Sequence, residues 1–86
     1  MTVEIKINGI LVESYYIANQ GAPPDAPEQG DDPGGERVYR WERRVWDKER
    51  RRTTPGGSGT VPHVRRDGAV RLVQRVLTVA AAALDA

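Results

Sequence analysis

The 86-residue chain has no cysteine and a single histidine, His63. Disulfide stapling and thiolate metal centres are therefore excluded, and nothing in the composition conflicts with a reducing, cytoplasmic setting. Long apolar runs are missing too. The longest, Val79 to Leu84 with Val76 and Leu77 just before it, falls well short of the roughly 20 residues that span a bilayer. MTVEIKINGI carries no basic segment followed by an apolar run, so it does not read as a secretory signal. A soluble chain with no membrane partner is expected.

Catalytic residue types are equally scarce. Nucleophilic catalysis needs a hydroxyl or thiol beside a base, and here Ser14, Ser58 and a few threonines share one imidazole. His63 reads as a hydrogen-bonded surface residue and the chain as a non-enzyme with no cofactor. Asp25, Gly30 and Glu36 fall at positions 1, 6 and 12 of a calcium loop, but Pro27 and Gln29 occupy ligand positions 3 and 5. With no helices predicted to flank it, the match is a coincidence. PGGSGT shares only its glycines with a phosphate-cradling loop and reads as a hairpin loop.

What the chain does contain is patterned. A length of 86 residues allows one domain, 1–86, with a thin core. In VEIKI the apolar Val3, Ile5 and Ile7 alternate with Glu4 and Lys6. Asn8-Gly9 follows, then the β-branched and aromatic ILVESYYI, which together predict a β-hairpin with a type I′ turn. From residue 19 to 36 the chain is acidic and rich in proline and glycine, with no aliphatic side chain larger than alanine. That composition predicts a mobile loop. ERVYRWERRVWDKERRR fits a strand or a helix; strand is preferred because its apolar content is aromatic and β-branched. As a strand it places Tyr39, Trp41, Arg43 and Val45 on one face, and Val38, Arg40, Glu42, Arg44 and Trp46 on the other. TTPGGSG reads as a turn or flexible loop, and TVPHVRR as a short strand demoted to an edge by Pro62. A C-terminal helix follows, with Asp67 as N-cap and an apolar face formed by Ala69, Val70, Leu72, Val73, Val76, Leu77, Ala80 and Leu84. The predicted fold is α+β: a small antiparallel sheet, an N-terminal β-hairpin plus one or two further strands, packed on one C-terminal helix. This order is broadly similar to that of small sheet-plus-helix DNA-binding domains, although no residue motif assigns one.

A net charge of +1 conceals strong segregation. Asp25, Glu28, Asp31, Asp32 and Glu36 precede a segment holding seven arginines and Lys48 against Glu42, Asp47 and Glu49. Arginine interleaved with tryptophan suits nucleic acid, because guanidiniums neutralise phosphates and indoles stack on bases. The candidate contacts are Arg37, Arg40, Trp41, Arg43, Arg44, Trp46, Arg50, Arg51 and Arg52, with Arg65 and Arg66 nearby. The alternative is a protein-interaction or assembly module that uses the acidic and basic segments as complementary surfaces. The helix carries more apolar surface than one sheet face needs. Val70, Val73, Leu77, Ala80 and Leu84 follow a coiled-coil spacing, which predicts a homodimer seam.

Overall fold

The computed structural model describes residues 1–21 and 35–84. Four strands, β1 (Thr2–Ile7), β2 (Ile10–Gly21), β3 (Glu36–Asp47) and β4 (Arg52–Val64), are followed by a short 3-10 turn, Arg65–Asp67, and a helix, α1 (Gly68–Leu84). The strands form one antiparallel sheet in the order β1-β2-β3-β4. The α+β reading is thus met, with the hairpin N-terminal and four strands present. The loop expected over 19–36 lies outside the described residues for 22–34; at its margins, Asn19 to Gly21 belong to β2 and Glu36 opens β3. Among the described residues no helix is long and apolar enough to cross a membrane.

Local chemistry explains the turns. Asn8 (φ 52°) and Gly9 (φ 78°) both adopt positive φ, as the two-residue hairpin between β1 and β2 requires. The turn between β3 and β4 is held by Asp47, whose Oδ1 accepts the backbone N–H of Glu49 at 3.0 Å and of Arg50 at 3.2 Å. Such side-chain acceptance is the usual role of aspartate in turns.

The segment ERVYRWERRVWDKERRR forms a strand over Glu36–Asp47, resolving the helix alternative, and its tail makes the turn into β4. TTPGGSG, by contrast, is no turn: it lies inside β4. Its glycines serve close approach. A Cβ on Gly59 would stand 2.9 Å from Trp41 Cζ2, and one on Gly56 would stand 2.7 Å from Val45 Cγ2. The ladder absorbs an irregularity between Glu42 and Arg44, where Gly56 and Gly57 together oppose Arg43. Pro55 and Pro62 are tolerated because β4 is an edge strand, as inferred for Pro62.

The core comprises Tyr15, Ile17, Trp41 and Val61 from the sheet and Leu72, Val76 and Ala80 from α1. The helix residues recur every fourth position, so the buried stripe is narrower than the apolar face in the sequence. Val70 stays 72% exposed and Leu84 57%. The predicted seam is therefore not one free surface: Ala80 is spent on the core, Val73 and Leu77 pack against it, and Val70 and Leu84 face solvent. Asp67, read as the helix N-cap, belongs to the 3-10 turn, and Gly68 (φ 81°) leads the chain into α1. His63 is buried, not on the surface. Its Nε2 donates to the Gly68 carbonyl at 3.0 Å, tying the end of β4 to the start of α1, while its ring meets Tyr39 edge-on.

Because the Gly59 Cα abuts the Trp41 ring, Gly59→Ala should lower unfolding stability by about 1–3 kcal/mol, the usual cost of overpacking. Urea denaturation of the variant against the parent chain measures this. An unchanged midpoint would show that Trp41 does not rest on Gly59.

Candidate nucleic-acid interface

Strand alternation sorts the arginine and tryptophan segment into two populations. Toward α1 point Tyr39, Trp41, Arg43 and Val45, of which Trp41 is 2% exposed and tilted against Tyr15 with ring centroids 6.4 Å apart. Its Nε1 is buried without a hydrogen-bond partner. Trp41 therefore cannot stack on a base.

Arg43 is likewise committed inside the protein. Its Nε donates to Glu13 Oε2 at 2.7 Å, a second guanidinium nitrogen reaches the same oxygen, and the third donates to the Gly56 carbonyl at 3.3 Å. Burial opposes the charge, but the hydrogen bond and Coulombic attraction of Glu13, aided by Tyr15, outweigh it and hold the guanidinium pKa above the ordinary arginine value. Arg43 is a structural cation that satisfies the irregular stretch of β4.

Among the described residues no element packs on the opposite sheet face. There β3 presents Arg40, Glu42, Arg44 and Trp46, the last half-buried. Tyr16, 55% exposed, stands across from Glu42 on β2, with Ser14 opposite Arg44 and Ala18 opposite Arg40. Arg44 is steered by Thr53, whose Oγ1 accepts from Nε at 3.1 Å. Arg40 lies 3.3 Å from Glu42 in an exposed ion pair, which contributes little to stability and yields readily to another anion. Past Val45, where pairing with β2 ends, β3 and β4 continue as a two-stranded ribbon carrying Trp46, Lys48, Arg50, Arg51 and Arg52. Only Asp47 and Glu49 offset those charges, and Arg50 lies 3.9 Å from Asp47.

The predicted contacts thus separate. Arg40, Arg44, Trp46, Arg50, Arg51 and Arg52 gather on the open face and its ribbon. Arg65 and Arg66 sit beyond the other end of β4, roughly 40 Å away by strand rise. Arg37 occupies that same distant end, across from His63, with its guanidinium on the Glu36 carbonyl. Tyr16 was missed by the sequence reading, though the signal was present: of two adjacent tyrosines in a strand, alternation must turn one outward. A shallow depression of roughly 300 Å³ lies at the irregular stretch of β4, lined by Glu42, Arg43, Arg44, Pro55, Gly57 and Ser58. Its opposed charges mark no particular ligand. Among the described residues no cluster of three or more potential metal ligands occurs.

The chain matches no family model, no curated protein and no solved structure. Function therefore has to be argued from the site alone.

The Glu13–Arg43 pair should behave as an interdependent unit. Glu13→Gln, which strands a largely buried guanidinium, should cost about 1–3 kcal/mol, whereas the apolar pair Glu13→Leu with Arg43→Met should cost less than the single change. A double-mutant cycle in urea checks it. Additive losses would show that the two side chains act separately.

Proposed function

We propose that the protein binds single-stranded nucleic acid across the sheet face opposite α1. The observation that supports this reading is the placement of Tyr16 and Trp46 on that face, flanked by Arg40 and Arg44, where it runs into the cationic ribbon of Lys48, Arg50, Arg51 and Arg52. By strand geometry the two rings stand roughly 14 Å apart, the reach of two or three nucleotides. Bases stack on the rings while the guanidiniums neutralise the phosphates between them. Arg44 is pre-oriented by Thr53, so less side-chain freedom is lost when it meets a phosphate. Glu42 and Glu4 share the face and temper non-specific attraction, so binding is moderate and salt-sensitive. A chain without cysteine is suited to perform this in a reducing cytoplasm.

The alternative of a protein-interaction module draws on a different observation. Ile7 and Ile10, a cross-strand pair, are 61% and 60% exposed at the β1–β2 turn, with Val12 close by.

Fluorescence anisotropy with labelled single-stranded DNA and RNA and a duplex, each at 50 and 200 mM salt as rough bounds, tests the proposal. Single strands should bind more tightly than duplex, and affinity should fall as salt rises. Trp46→Ala should weaken single-strand binding about 5- to 100-fold, the worth of one stacked base. Arg44→Ala should lower the salt slope by about one. Absence of binding at the lower salt, or full affinity in Trp46→Ala, would overturn the assignment.

A further inference from the structure

The two edges of the sheet are not alike. On β4, Pro55 and Pro62 lack the N–H that a new strand would need, the ladder is interrupted at Gly56–Gly57, and the Pro62 carbonyl accepts Arg75 at 2.7 Å. These are recognised ways of blunting an edge. β1 carries no proline, and the one irregularity in its pairing with β2, between Ile5 and Lys6, places the extra residue, Val12, on β2 and leaves the alternation along β1 intact. Met1 and Ile17 exchange both backbone bonds, at 2.8 and 3.0 Å, and the register Val3↔Tyr15, Ile5↔Glu13 continues that parity. Val3 and Ile5 therefore turn their backbone polar groups toward β2, while Thr2, Glu4 and Lys6 turn theirs outward.

From this edge we infer that the protein self-associates by pairing β1 with β1 of a second copy, antiparallel about a two-fold axis at Ile5, to form one continuous eight-stranded sheet. The register follows from charge. With Ile5 on the axis, Glu4 stands opposite Lys6 of the partner subunit and Val3 opposite Ile7 of the partner subunit. An axis at Glu4 or at Lys6 would oppose like charges, and a slip by one residue would turn the apolar set to the wrong face. The outward backbone groups of Glu4 and Lys6 are those the new ladder uses, so charge pattern and hydrogen-bond parity select the same alignment. Ile7, the more exposed of the β1 apolar side chains, gains an apolar neighbour. The interface is isologous, as two-fold pairing demands, and it leaves the open face of each copy unobstructed.

Sedimentation equilibrium of the full chain at micromolar to submillimolar concentration tests this at low salt. The parent chain should show a monomer–dimer equilibrium. Glu4→Lys and Lys6→Glu should each weaken it about tenfold, since symmetry turns two attractive pairs into two repulsive ones. The double variant Glu4→Lys with Lys6→Glu should restore it, and so should an equimolar mixture of the two single variants, whose charges complement each other. That rescue separates lost pairing from misfolding. Val70→Glu and Leu84→Glu on the helix should leave the dimer intact. A strictly monomeric parent chain, charge variants that associate like the parent, or dissociation by the helix variants alone would each overturn the inference. None of these outcomes depends on nucleic-acid binding.

Discussion

The contact on which the rest of the structure depends is the Trp41 indole laid against Gly59. A ring of that size can be buried in so thin a core only if the neighbouring strand offers no side chain beneath it, and β4 provides this with glycine at the position paired with Trp41. The indole then fills the space between β4 and the helix stripe of Leu72, Val76 and Ala80, beside Tyr15 and Ile17. An unpartnered Nε1 is the cost, about 1–3 kcal/mol for a buried donor, and burial of the large apolar ring offsets it.

Once Trp41 is fixed inward, strand alternation decides the rest of β3. Arg43 must also point inward, which explains why it is ion-paired with Glu13 and bonded to Gly56, whereas Arg40 and Arg44 make only exposed contacts, with Glu42 and Thr53. Arg40, Arg44 and Trp46 must point outward, onto the face opposite α1, which no other element among the described residues covers. One buried ring thereby divides a single basic segment into a structural half and a half that meets solvent. The outward set of side chains is a consequence of the packing, not an addition to it.

Much of this was legible in the residues. VEIKI-NG-ILV announced the hairpin, Pro62 announced an edge, and the parity of β3 was correct as soon as strand was chosen over helix. Three features were hidden for physical reasons. Proline and glycine in TTPGGSG signal a turn locally, yet here they serve a partner strand whose indole and guanidinium need room, which no local reading reveals. The excess of apolar surface on the helix was legible, but not how it divides: Ala80 joins the core with Val73 and Leu77 packed against it, while Val70 and Leu84 remain outside. His63 looked like a surface residue because its two partners, the Gly68 carbonyl and the Tyr39 ring, come from either side of it in the fold. Of the site, the residue types were visible in the sequence. Which of them reach solvent depended on the inward turn of Trp41, and Tyr16 emerged only with the sheet.

The division of the two tryptophans between core and open face can be read directly from hydrogen exchange of their indole N–H groups by NMR. The Trp41 indole proton should exchange slowly, protected by the packed core, while that of Trp46 exchanges rapidly. Equally rapid exchange of both, or protection of Trp46 with Trp41 unprotected, would contradict the placement of Trp41 against Gly59 and the open face that follows from it.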